Sequence, residues 1–141
     1  MAFTGSAICN SFKQELLQGI HLAADAYMIA LYTNSAALTK ATTAYAATAE
    51  VGASGTYVAG GMALVGFTVA LDGDTAYIDW TTDPEWTGAT ITARGALIYN
   101  ATRANKAVAV IDFGADKTST AGSFKVQLPA PAAATALIRI A

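Results

Sequence analysis

An Asp-Gly dipeptide with an apolar run on either side constrains this chain more than any other feature. The run "MALVGFTVAL" (62–71) leads into Asp72-Gly73, and "TAYIDWT" (75–81) returns from it. Asp and Gly accept the positive φ values of a two-residue hairpin turn, whose twist matches that of the flanking strands. Alternation then sets the faces, with Ala76, Ile78 and Trp80 on one side and Tyr77 and Asp79 on the other. The second half of the chain is thereby committed to antiparallel sheet.

The same pattern continues to the end. "TDPEWTGAT" (82–90) reads as a loop, because Pro84 lacks the N–H that a central strand needs. "ITARGALIYN" (91–100) and "KAVAVIDFG" (106–114) read as strands around the polar turn "ATRAN", followed by a loop, "ADKTSTAG" (115–122). "SFKVQL" and "TALIRIA" complete the strands, joined by the stiff link "PAPAAA". Upstream, "NSFKQELLQGIH" (10–21) is a helix of about three turns, with Phe12, Leu16 and Ile20 on one face. Ser11 is its expected cap, Gln14 would complete a capping box, and Gly19 and His21 suit its end. "AYMIALYT" (26–33) is branched and aromatic enough for a strand. Residues 34–61 show no period and read as a long loop or arm that orders against a neighbouring subunit. The sum is one helix and about seven strands: a mainly β, single β-sandwich or jelly-roll-like domain over residues 1–141. Its parts are an N-terminal arm and helix (1–22), the long loop or arm (34–61), and a sandwich built from 26–33 and 62–141.

Charged residues make up 13% of the chain, about half the usual ~25%, and hydrophobic residues 54%. A surface this poor in charge favours burial against other subunits, so a homodimer or homotrimer is expected. The net charge of −2 and the scattered cations give no footprint for nucleic acid. "MAFTGSAICN" lacks a signal-peptide pattern, and "MALVGFTVAL" falls well short of the roughly 20 residues a membrane helix needs. The expectation is a soluble, unexported protein with no membrane partner. Cys9 is the single cysteine and reads as a small buried hydrophobe.

Catalysis needs tunable ionisable groups held together, and here they are few. His21 is the one histidine and ends a helix, so a multi-histidine metal site is excluded. No Cys-x-x-Cys, phosphate-loop or nucleophile-elbow motif is present. Asp72, Asp74, Asp79, Asp83 and Glu85 gather in a short stretch, where calcium is the sharp hypothesis and turn chemistry the plain one. "NAT" at 100–102 matches the glycosylation sequon without a secretory context. The expectation is a non-enzymatic protein with no catalytic residue, resident metal or cofactor. Among the aromatics, Trp80 alternates with core residues, whereas Trp86 sits in the expected loop beside Asp83 and Glu85 and offers a contact anchor. A sugar-binding module, or a small hydrolase, is the alternative that this trio suggests.

In "ITARGALIYN" one charge interrupts an apolar strand. With "ATRAN" as the turn, Arg94 falls opposite Asp112, Asn100 opposite Lys106, and Ala93, Gly95 and Leu97 opposite Phe113, Ile111 and Ala109. Arg94 and Asp112 are therefore expected to form a structural ion pair that pins the register.

Taken in order, "NSFKQELLQGIH", "IALYT", "TTAYAATAEV" followed by "YVAGG", "ITARGALIYN", "KAVAVIDFG" and "DKTSTAGSF" resemble a widespread family of small virion proteins of tailed bacteriophages. The similarity spans nearly the whole chain. One departure is Ala49, where the family often has Asn before the Glu of the central segment. The resemblance implies an auxiliary capsid protein that cements or decorates the shell, made in the host cytoplasm and carried on the capsid surface. Its partners would be the major capsid protein and itself. A tail, neck or fibre component is the alternative. On this reading residues 1–12 and 34–61 bridge subunits, with Phe3, Phe12, Tyr45, Tyr57 and Trp86 as the partner contacts.

Overall fold

In the computed structural model, which describes residues 3–141, the order is β1 (Ala7–Ile8), α1 (Asn10–Leu17), β2 (Tyr27–Tyr32), β3 (Met62–Ala63), β4 (Val65–Asp72), β5 (Thr75–Thr82), β6 (Glu85–Asn100), β7 (Lys106–Lys125) and β8 (Ile138–Ile140). The protein is mainly β, with two antiparallel sheets in a sandwich-like arrangement and one short helix. One sheet runs β1-β7-β6-β2-β3 and the other β4-β5-β8. A single buried cluster takes Ile29, Leu31, Leu97, Ile98, Val108 and Val110 from the larger sheet and Trp80 and Ile138 from the smaller. Tyr27 ties the two, stacking on Phe67 at 5.1 Å and meeting Trp80 edge-on at 5.4 Å.

Strands β6 and β7 are far longer than the sequence pattern suggests. Pro84 does precede β6, but Glu85–Thr90 continue as strand because Trp86 and Ala89 point into the core. Gly88, at φ 58°, takes up a register shift between them. Residues 115–122 are likewise strand and not loop, since their Thr, Ser and Gly residues lie on an exposed ladder with β6. Small polar residues there mark a solvated face, which resembles loop composition.

The hairpin register begins as expected, with Asn100 opposite Lys106. A shift between Ile98 and Tyr99 then puts Ile111 opposite Ala96, Val110 opposite Leu97 and Asp112 opposite Gly95, while Ala93 faces Lys117 and not Phe113. Arg94 lies in a second shift and still reaches Asp112, its Nε donating to Oδ1 at 3.0 Å. The ion pair therefore spans a bulge instead of joining directly opposed residues. The Asp112 carboxyl is held below its ordinary value by the Gly114 N–H and then by Arg94.

Helix α1 ends at Leu17 and is about two turns long, not three, because Gly19 turns the chain at φ 73°. Its N-cap is Cys9, with no side-chain capping bond, so the expected Ser11–Gln14 capping box is absent. Burial and the nearby Glu15 push the Cys9 thiol up to about 11, which leaves it inert.

Residues 34–61 are neither a free arm nor a loose loop. They form a cover over β2 and β6, burying Ala36, Leu38, Val51 and Tyr57. Val51 N–H donates to the Leu31 carbonyl at 3.0 Å and Thr33 N–H to that of Ala49 at 2.9 Å. At the centre, the Glu50 carboxylate accepts the Tyr45 hydroxyl, the Tyr57 hydroxyl and the Gly60 N–H, each at 2.7 Å. The Tyr57 oxygen accepts Leu31 N–H at 2.9 Å, and Tyr99 donates to the Gly60 carbonyl at 2.7 Å. Gly61, at φ 78°, lies so close to the Ile29 backbone that any Cβ would collide with it. One carboxylate thus gathers residues 45–60 of the cover, and Tyr57 fastens them to β2.

This clamp generates two predictions. Ala49, before Glu50, sits at φ 63°, a left-handed conformation that costs a Cβ-bearing residue about 1–2 kcal/mol and that Gly and Asn tolerate. Ala49→Gly should raise unfolding stability by about 1 kcal/mol in urea titration, with Ala49→Asn in the same direction. Glu50→Gln should lower stability by about 1–3 kcal/mol. Amides of residues 45–60 should then exchange faster than those of β6.

Candidate docking surface

One set of ionisable groups converges beneath the β6–β7 turn. The His21 side chain is 1% exposed, with Nε2 3.2 Å from Glu15 Oε2. Its Nδ1 lies 3.0 Å from Asn100 Nδ2. The Asn100 amide orientation is set by its Oδ1, which accepts the N–H groups of Thr102 and Arg103 at 3.1 and 3.2 Å. Asn100 Nδ2 therefore donates to Nδ1, and His21 is neutral with its proton on Nε2. Burial lowers the His21 pKa despite the opposing pull of Glu15. Asp25 accepts Arg103 Nε and Asn100 Nδ2, both at 2.9 Å. Arg103, with Asn100 and the Leu22 N–H, draws its carboxyl down to about 2. Lys106 Nζ stands 3.4 Å from Glu15. These groups spend their hydrogen bonds on holding the turn against the end of α1, and His21 has no ring nitrogen left for a reactant.

The acids of 72–85 are dispersed. Asp72 accepts Ala133 N–H, Asp83 accepts Leu128 N–H at 2.8 Å, and Asp79 is fully buried with its oxygens on the N–H groups of Trp80 and Leu137. Among the described residues no three His, Cys, Asp or Glu side chains come together as metal ligands; Asp72 and Asp74 flank or form the β4–β5 turn, while Asp79 and Glu85 lie within strands.

The five expected contact aromatics are not at the surface. Phe3 (3% exposed), Phe12 (2%), Tyr57 (0%) and Trp86 (0%) belong to the core, and Tyr45 is partly buried, stacked on Tyr99 at 4.6 Å. Phe3 lies over Gly95, where a Cβ would strike its ring. Tyr57 packs on Trp86 at 5.3 Å. Tyr45 and Tyr57 are held in the cover by Glu50, and once Trp86 is in a strand, period two turns it inward. The sugar platform of Trp86 with Asp83 and Glu85 goes with it, since a fully buried indole cannot stack on a glycan.

What the surface does offer is apolar and lies elsewhere. Leu17 is 88% exposed, Leu71 72%, Val69 61% and Ile140 57%. Between α1 and β8 runs a groove of about 410 Å³ lined by Phe12, Leu16, Leu17, Ile138 and Ile140. Lys13 and Arg139 also line it, and neither makes an ion pair among the described residues. Leu16, Ile138 and Ile140 continue from this groove onto the apolar face of β4 and β5. A larger groove, about 470 Å³, lies beside β7, but its Phe113 and Phe124 are half-buried or buried against each other. The sequence pointed to aromatics; the exposed contacts are aliphatic, and only Leu17, off the Phe12–Leu16 stripe of α1, could have been suspected. Comparison of the chain with protein-family models, with curated proteins and with solved structures found no match.

The polar cluster makes a pH prediction. His21 has a folded pKa below its unfolded value, so the unfolded chain binds the extra proton, and stability is lost as pH falls below about 6.5. Urea midpoints measured from pH 7.5 to 5 should fall, and His21→Gln should flatten this part of the profile.

Proposed function

We propose that this chain is a structural protein of a tailed-bacteriophage particle, an auxiliary capsid protein that cements or decorates the major capsid shell. The observation that carries the docking part of the reading is the α1–β8 groove, an apolar channel whose lining includes Lys13 and Arg139, two cations without an ion pair among the described residues. The resemblance of the ordered segments to phage virion proteins supplies the particle.

The chemistry required of such a protein is rigid contact area. The sheets, the cover and the clamp hold the body by internal bonds, which limits the ordering cost of association. The groove then accepts an apolar segment of the shell, and Lys13 and Arg139 favour one flanked by carboxylates. A shell repeats the contact over many copies, so modest affinity per site suffices. Residues 34–61 have no part in docking on this reading, because they are occupied as a cover.

Binding to purified shells tests it. Leu17→Glu together with Lys13→Glu changes exposed positions and should reduce occupancy at least tenfold with an unchanged melting temperature. Wild-type occupancy by this variant would exclude the groove. Quantitative mass spectrometry and cryo-electron microscopy of particles should find the protein across the shell; a few copies confined to a tail or neck would overturn the capsid assignment.

A further inference from the structure

We propose that β4 is the pairing edge of a two-fold homodimer, in which the β4 strands of two copies join antiparallel and the small sheets become one six-stranded sheet. The pairing goes beyond the shell reading and does not depend on it.

Strand β4 pairs only with β5, so its other edge is open over eight residues. Edge strands are ordinarily kept from pairing by shortness, charge, proline or a cover. The remaining edges here have such protection. Strands β1 and β3 are two residues each, β8 is three and includes Arg139, and the part of β7 beyond β1 carries Asp112, Asp116, Lys117 and Lys125. From Met62 to Leu71 there is no charge and no proline. Between Gly66, at φ 81°, and Asp72 the β4 edge has no such guard.

Its side chains suit another β4. Val65, Phe67, Val69 and Leu71 share one face, continued across the sheet by Trp80, Ile78 and Ala76 and then by Ile138 and Ile140. Phe67 and Trp80 are packed against Tyr27, but Val65, Val69 and Leu71 are 58%, 61% and 72% exposed. A two-fold axis through Thr68 sets Phe67 opposite Val69 of the second copy and Val65 opposite its Leu71, all on that face. On the other face Gly66 meets Ala70, and Thr68 meets Thr68, a favourable cross-strand pair. A one-residue slip would set apolar residues against the polar face.

Electrostatics point the same way. The first charge on the strand is Asp72, which in this register lies opposite Leu64 of the second copy. The two Asp72 residues then stand roughly 27 Å apart at 3.4 Å per residue, several times the ~8 Å screening length of physiological salt. No like charges meet.

Sedimentation velocity of the full chain from about 1 to 500 µM should show a reversible monomer–dimer equilibrium. Hydrogen exchange at the two extremes should show amides of Phe67–Leu71 slowing with concentration while those of β8 do not. Val69→Lys should weaken the dimer at least tenfold, and Leu71→Lys serves as a second disruptor should Val69→Lys unfold. Leu17→Lys, on α1, should leave the equilibrium unchanged. A monomer throughout, a trimer, or a dimer indifferent to both β4 variants would overturn the proposal.

Discussion

One carboxylate, that of Glu50, is the contact on which most of this structure depends. It lies in a segment without regular secondary structure, where backbone groups would otherwise need water. By accepting two tyrosine hydroxyls and a backbone N–H, it closes residues 45–60 into a ring. Tyr57 carries that ring to the Leu31 amide, and Tyr99 carries it to β6. The cover can then bury Val51 and close over the face of β2 and β6 that carries Tyr32 and Tyr99, opposite the face on which Tyr27 meets the small sheet. The tyrosines bear this as neutral groups, since burial first and Glu50 second raise the pKa values of Tyr45 and Tyr57.

The clamp also accounts for the make-up of two segments of the cover. "TTAYAATAEV" and "YVAGG" contain Tyr45, Glu50, Tyr57, Gly60 and Gly61, and each makes part of the ring or its approach to β2. Asn before the Glu suits a backbone at positive φ, which Ala49 adopts at a cost. These positions read as architecture and not as a contact surface. The proposed contacts use surfaces that the cover does not reach: the α1–β8 groove and the edge of β4. They lie at opposite edges of the small sheet, with β5 between β4 and β8, and are linked across its apolar face by Ile78, Ile138 and Val69.

The second cluster, around His21, does for the β6–β7 turn what Glu50 does for the cover. A neutral imidazole accepts from Asn100, whose carbonyl in turn caps the turn amides. Such a network fixes one arrangement because a half-satisfied version leaves buried polar groups unpaired. It makes the turn sensitive to acid and leaves no ring nitrogen free for chemistry.

The β4–β5 hairpin, the strand character of 27–32, 65–72, 75–82, 91–100 and 106–114, and the partnership of Arg94 with Asp112 were determined by the sequence alone, although the turn falls at Gly73-Asp74, one residue beyond the expected Asp72-Gly73. Each rests on period two, on turn chemistry, or on opposite charges within one hairpin, all local in range. The fate of Trp86, the length of β7 and the role of 34–61 were decided by tertiary structure. Trp86 turns inward only because Glu85–Asn100 is one strand, and strand length depends on a partner that stays beside it. The Thr, Ser and Gly residues of 115–122 look the same in a solvated strand as in a loop until β6 is placed against them. Glu50 carries no periodic signal, because its three donors approach from a loop, a second loop and a glycine backbone that only the finished fold brings within 2.7 Å.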